Sequence, residues 1–159
     1  MHFDMDNLES TKKRALKILG SRNFSEQEMI KRLTGKGESP EDAEEAVRWL
    51  VKLGYINDND YAVLIVRHYF AKGYGEARIR DELYKRGIPR DLWDDKFAGL
   101  DSDDIGDAAL EFLKKKLRGS DDRDDLRRAS DALVRRGFSY DDARAAINRY
   151  KDELECPDE

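Results

Sequence analysis

One cysteine, Cys156, stands among 159 residues, in the polar tail Glu155-Cys156-Pro157-Asp158-Glu159. A single thiol forms no internal disulfide, and a reducing compartment is the simplest setting for such a chain. Histidine is nearly as scarce, with only His2 and His68. No His/Cys spacing resembles a metal site, and no Ser-His-Asp or Cys-His set can be assembled from so few candidates. Long apolar runs are missing too. The longest, Tyr61 to Val66, falls far short of the roughly 18 residues that span a bilayer. The opening Met1-His2-Phe3-Asp4 has neither the basic nor the apolar region of a signal peptide. A soluble, cytoplasmic protein with no membrane contact is expected. Strand-like alternation is absent throughout, which points to an all-α chain.

What the chain does have is repetition. Leu33-Thr34-Gly35-Lys36-Gly37, Leu83-Tyr84-Lys85-Arg86-Gly87 and Leu133-Val134-Arg135-Arg136-Gly137 are three copies of one L-x-x-x-G element, fifty residues apart. Each is followed by a helix-start signal: Ser39-Pro40-Glu41-Asp42, Pro89-Arg90-Asp91 and Ser139-Tyr140-Asp141-Asp142. This period implies stacked supersecondary units whose faces, rather than one pocket, carry function. With 39% of residues hydrophobic and 41% charged, thin helical cores suit the composition better than one large core.

Helical periodicity divides the chain into nine helices in three sets of three: residues 1–57, 58–100 and 101–159, the last with an acidic polar tail. Asn7 is the expected cap of a first helix carrying Ala15, Leu16 and Leu19. Ser25 with Glu28 reads as a capping box before Met29, Ile30 and Leu33. Ser39 and Pro40 open a helix with Ala43, Ala46, Val47 and Leu50 as its stripe, ended by Gly54. The second set carries Tyr61, Ala62, Ile65, Val66 and Tyr69. Its next helix has Ile79 and Leu83, and one beginning at Pro89 carries Leu92, Trp93 and Phe97. After a linker from Gly99 to Asp103, the third set has Ile105, Ala108, Ala109, Phe112 and Leu113 as its first stripe. Leu126, Ala129 and Leu133 form the second, and Ala143, Ala146 and Ile147 the third. Ser120 to Asp125 reads as a solvated acidic cap.

Motifs for chemistry fail one by one. Lys72-Gly73-Tyr74-Gly75 lacks the Lys-Ser/Thr and the preceding strand of a phosphate loop, so it reads as a helix break. Asp101-Ser102-Asp103-Asp104-Ile105-Gly106 begins like a calcium loop, but positions 5 and 12 are Ile105 and Phe112. His68 beside Tyr69 reads as a surface or half-buried structural residue. No metal, no cofactor and no catalytic set is expected. The remaining signal is electrostatic. Residues 66–90 carry seven basic and three acidic side chains, whereas the chain as a whole is −5. Within that block Arg78 and Lys85 lie seven apart on one helix, Tyr74 leads into it, and Arg67 adds charge from the preceding helix. Such a block is either a binding surface, since arginine and tyrosine serve both phosphates and protein hot spots, or a solvated face.

Three segments then carry a resemblance, in order and in register. They are Leu53-Gly54-Tyr55-Ile56-Asn57-Asp58-Asn59-Asp60-Tyr61-Ala62, Lys72-Gly73-Tyr74-Gly75-Glu76-Ala77-Arg78-Ile79-Arg80-Asp81-Glu82-Leu83 and Arg136-Gly137-Phe138-Ser139-Tyr140-Asp141-Asp142-Ala143. The chain resembles the RecX family over about residues 10–152. The resemblance implies three tandem three-helix repeats in an elongated, curved array, acting as a monomer. It implies a regulator that binds RecA–single-stranded DNA filaments along their groove and restrains ATP hydrolysis, strand exchange and co-protease activity. Lys72, Arg78, Arg80, Lys85 and Arg86 match the family's central basic motif, and with Arg67 and Tyr74 they are the candidates for partner or DNA contact. The acid excess outside that block departs from the more basic members and favours a protein partner over independent DNA binding. A direct single-stranded-DNA binder and a non-catalytic helical adaptor are the competing readings.

Overall fold

The computed structural model describes residues 2–156, with the backbone alone for 2–6; the side chain of His2 and residues 157–159 of the acidic tail lie outside what is described. Nine α-helices follow one another among the described residues, with no strand between them. They are α1 (His2–Leu19), α2 (Glu26–Gly35), α3 (Pro40–Lys52), α4 (Asp58–Ala71), α5 (Glu76–Lys85), α6 (Asp94–Ala98), α7 (Ser102–Leu117), α8 (Arg123–Arg135) and α9 (Tyr140–Glu155).

Local chemistry sets most of the boundaries. Ser25 accepts from the Glu28 amide while the Glu28 carboxylate accepts from the Ser25 amide, the reciprocal box expected there. Ser39, Asp101, Asp122 and Ser139 each accept an amide of the first turn of α3, α7, α8 and α9; a cap of this kind contributes about 1 kcal/mol. The acidic stretch before α8 therefore caps a helix, with Asp122 accepting from the Asp124 and Asp125 amides.

The structure departs from these expectations at four places. Asn7 lies inside α1 rather than capping it. Leu16 is exposed, and Ile18 packs against the core in its place. The helix expected from Pro89 is broken into a 3-10 turn, Arg90–Leu92, and the short α6. On α7 the buried stripe is rotated to Ala109, Leu110, Leu113 and Leu117, which leaves Ile105, Ala108 and Phe112 only partly covered.

The chain forms two compact units, Met1–Val63 with Leu83–Trp93 and Leu64–Glu82 with Asp94–Glu159, so α4 and α5 have residues in both. In the first unit α1 and α2 pack on α3 around Ala15, Met29, Leu33, Val47 and Leu50. In the second, α7, α8 and α9 enclose Leu113, Leu126, Leu133, Phe138 and Tyr150. Each fully buried leucine among these contributes about 1.5–3 kcal/mol.

A second type of contact recurs inside both units. In the second, the end of α8 meets the start of α5: the Gly75 amide donates to the Arg136 carbonyl at 2.8 Å and the Ala77 amide to the Gly137 carbonyl at 3.2 Å. Unpaired carbonyls at a helix end thus satisfy unpaired amides at a helix start, and the opposed partial charges attract. The approach needs glycine on both sides. A Cβ on Gly75 would lie 2.4 Å from the Gly137 carbonyl carbon. One on Gly137, whose φ is +104°, would lie 2.5 Å from the Arg78 amide nitrogen. In the first unit the Ser25 hydroxyl donates to the Arg86 carbonyl, and a Cβ on Gly87 would come within 2.7 Å of the Gln27 Cβ. The Asp58 carboxylate completes this junction by accepting from the Glu26 amide at 2.9 Å. Burial, and then the adjacent Asp58 carboxylate, hold the Glu26 carboxyl above its usual range.

Two predictions test these junctions. Gly137→Ala is expected to lower unfolding free energy by about 2–5 kcal/mol, combining left-handed strain with overpacking. Gly37→Ala has comparable strain at φ +98° but nothing within 4 Å of the new methyl, and should cost only about 1–2 kcal/mol; urea denaturation distinguishes the two. For Glu26, a folded-state pKa raised above the ordinary 4.5 means its stability contribution is fully present below that value and is lost as pH rises through the folded pKa. Glu26→Gln should therefore raise the urea midpoint at pH 7. Its advantage over wild type should shrink as pH falls through the carboxylate range.

Candidate functional site

The turn between α4 and α5 is built to fold a tyrosine back. The Tyr74 amide donates to the Tyr69 carbonyl at 3.1 Å, and the two rings lie 5.7 Å apart at 58°. Because the Arg136 carbonyl is held by Gly75, the Arg136 side chain arrives beside the same turn. Its guanidinium carbon lies 4.5 Å from the Tyr74 ring centre and 4.8 Å from that of Phe112. Arg78 faces Tyr74 at 5.2 Å, and Lys72 lies 6.0 Å from Tyr69. The result is a ladder, Phe112–Arg136–Tyr74–Arg78, with Tyr69 and Lys72 at its side. Each cation–ring contact contributes about 0.5–1 kcal/mol where exposed, and more where water is excluded. No carboxylate pairs with Arg78 or Arg136 among the described residues, and the buried Nε of Arg78 has no hydrogen-bond partner. Two guanidinium charges are thus held by ring faces alone.

The seven sequence candidates separate. Lys72, Tyr74 and Arg78 come together in this ladder, and Arg67 is exposed on α4 in the same unit. Arg80 is committed elsewhere. It pairs with Glu76 and with Asp94, each at 2.9 Å, and lies 4.7 Å over Phe97. The hydrogen bond it donates to Glu76, joined by the one to Asp94, holds its guanidinium protonated above the ordinary arginine range. Lys85 and Arg86 belong to the first unit. There Arg86 donates to the Tyr61 hydroxyl at 2.8 Å, and burial pushes the Tyr61 phenol up. Lys85 lines a groove of about 460 Å³ together with Lys31 and the exposed Tyr84.

Sequence reasoning passed over Arg136 and Phe112 as candidates. A signal for Arg136 existed, since it stands fifty residues after Arg86 in the repeat. Nothing in the spacing marks Phe112, which fits the helical core stripe with Ala109 and Leu113. The ladder borders an open groove of about 800 Å³ along α7, floored in part by Phe70 and Phe112. Among the described residues no cluster of three His, Cys, Asp or Glu side chains could hold a metal ion. No helix among them is long and apolar enough to cross a membrane.

Three-helix repeats, with a cation–aromatic ladder at one junction, define a tandem helical-repeat protein. Comparison with known proteins specifies which one. Family models described as the first, second and third three-helix domains of RecX match residues 12–50, 57–95 and 103–147. The regulatory protein RecX of Vibrio vulnificus is 30% identical over 141 residues, covering 87% of this chain and 92% of the relative. That of Xanthomonas campestris pv. campestris is 35% identical over 136 residues, covering 84% and 83%. The crystal structure of RecX from Lactobacillus salivarius superimposes with a TM-score of 0.83 at 21% identity, covering 92% of this chain and 98% of that one. The chain belongs to the RecX family, as the three motifs implied.

Arg80 offers a direct check on the division between structural and available charge. Arg80→Ala removes two partly screened ion pairs and a ring contact, and should lower unfolding free energy by about 0.5–1.5 kcal/mol. The loss should diminish in high salt, as read from urea midpoints at two ionic strengths.

Proposed function

We propose that this chain binds RecA–single-stranded DNA filaments without itself catalysing a reaction, and restrains their ATP hydrolysis, strand exchange and co-protease activity. Family membership supports the regulatory role, and the ladder of Tyr74, Arg78 and Arg136 is the observation that supports a contact surface. Guanidinium groups stacked on rings keep their N–H edges available for carboxylates or phosphates, and their ordering entropy has already been met during folding. In this reading Lys72, Arg78, Arg136 and the exposed Arg67 contribute to partner contact in the second unit, and Lys85 in the first. Arg80 and Arg86 serve mainly to hold the fold.

A net charge of −5 works against DNA as the sole source of affinity, so most of the binding energy comes from protein. The decisive measurement is RecA ATPase on single-stranded DNA with substoichiometric amounts of this chain. Inhibition well below one copy per RecA subunit indicates end-capping, and a proportional effect indicates binding along the filament. Lys72→Glu with Arg136→Glu should weaken inhibition about tenfold, equivalent to about 1.4 kcal/mol, with helicity by circular dichroism unchanged. Full inhibition by the double variant removes the ladder from the contact surface. Tight, steeply salt-dependent binding of DNA without RecA would favour the direct DNA-binding reading.

A further inference from the structure

The charged groups along α7 are arranged in a way that the ladder does not use. Asp104, Asp107, Ala108, Glu111, Phe112 and Lys115 succeed one another at helical spacing and line one side of the groove of about 800 Å³. The first half of that stripe is acidic. The second half is basic, where Lys116 joins Lys115, and Lys72 and Arg136 reach the same groove from other elements. Between them the floor is apolar, with Phe70, Ala71, Ala108 and Phe112; both phenylalanines remain half-buried.

Acid first and base last along a helix is what its dipole favours, and on a solvated helix that would suffice as an explanation. It does not account for two basic residues brought in from outside α7, nor for two phenylalanines left partly uncovered in the same groove. Nor are the charges consumed internally. Asp107 pairs with Arg149 at 3.0 Å, but Asp104, Glu111, Lys115 and Lys116 have no opposite charge within ion-pair distance among the described residues. Holding uncompensated charges of both signs around an apolar floor suits a ligand that carries both signs as well.

We propose that this groove is the docking site for a polypeptide segment of the protein partner. The segment carries a basic residue against Asp104 and Glu111, an apolar side chain over Phe70 and Phe112, and an acidic residue against Lys115 and Lys116. The occupant is polypeptide rather than nucleic acid because a phosphate backbone presents one sign of charge along its whole length and would be repelled by the acidic half. The inference rests on the reading that the chain binds RecA filaments, and adds which surface does so and with what chemistry.

The test turns on the sign of two opposite charge changes. Wild type, Lys115→Glu/Lys116→Glu and Glu111→Lys are compared for co-sedimentation with RecA filaments on single-stranded DNA, and for inhibition of RecA ATPase. Circular dichroism and melting verify the fold. The neutral variants Glu111→Gln and Lys115→Gln replace any reversal that fails to fold. A bipolar polypeptide predicts that both changes weaken binding, each about tenfold for a reversal. If the lysine variant weakens binding while Glu111→Lys strengthens it, the groove contacts a polyanion and the polypeptide assignment is overturned. Unchanged binding in both, with wild type bound, removes the groove alone. Failure of wild type to bind the filaments removes both this inference and the reading beneath it.

Discussion

A backbone carbonyl at the end of each repeat's second helix must find a donor, and the way it does so organises each unit. The three carbonyls lie at the same place in the fifty-residue period. That of Arg136 receives the Gly75 amide at 2.8 Å, that of Arg86 the Ser25 hydroxyl, and that of Lys36 the Arg14 guanidinium at 3.0 Å. A helix C-terminus left without such a partner would lose about 1–3 kcal/mol for each buried orphan group. Where that demand is met by another repeat's helix start, at Arg136 and Arg86, it draws one helix hairpin onto the next within each unit. The residue after the glycine records the choice. Ile88 and Phe138 are buried where a neighbouring repeat docks. In the first repeat the same position is Glu38, held by the Thr11 hydroxyl at 2.6 Å and by Arg14 at 3.4 Å.

This junction also explains why the ladder forms at one place in the chain. Arg136 reaches Tyr74 because its own carbonyl is tied to the adjacent Gly75, so a bond between main chains fixes where a side chain can stack. At the corresponding junction of the first unit, Arg86 is likewise fixed by its carbonyl. Its side chain meets the Tyr61 hydroxyl and donates to it, and with Arg22 also beside Tyr61 at 3.4 Å that arginine contributes to packing. Equivalent positions in the repeat thus give one arginine in a half-buried ladder and one engaged inside a junction.

How much of this was legible in sequence follows from the range of each interaction. The box at Ser25 and Glu28, the cap at Ser39 with Pro40, and the α3 stripe of Ala43, Ala46, Val47 and Leu50 were all readable, because each involves residues within a few positions. The rotated stripe of α7 was not. Ile105 and Leu110 fit a helical period equally well, and only packing against α8 and α9 selects Leu110 and Leu117. The ladder was half visible: Lys72, Tyr74 and Arg78 are neighbours in sequence, whereas Arg136 is joined to them by a hydrogen bond across sixty-one positions. Arg80 shows the converse limit, since a count of basic residues cannot tell a charge that is available from one held by Glu76 and Asp94.

The contact that joins the repeats has no counterpart at the start of α8 among the described residues. At position 125, which corresponds to Ser25 and Gly75 in the other repeats, stands Asp125, inside a helix that begins at Arg123 and is capped by Asp122. Its carboxylate accepts from the Ser120 hydroxyl at 2.7 Å, while the Ser120 carbonyl accepts from Tyr150 at 2.9 Å. The start of α8 therefore carries a carboxylate engaged within its own repeat where the other two carry a small residue, and the turn at Gly37 is likewise held within its own repeat by Arg14 and Thr11. The docking made at Ser25 and Gly75 is therefore not repeated at Asp125. The ring-held arginines Arg78 and Arg136 thus stack on side chains, while the bonds that join the repeats are made by other groups, the Gly75 and Ala77 amides and the Ser25 hydroxyl.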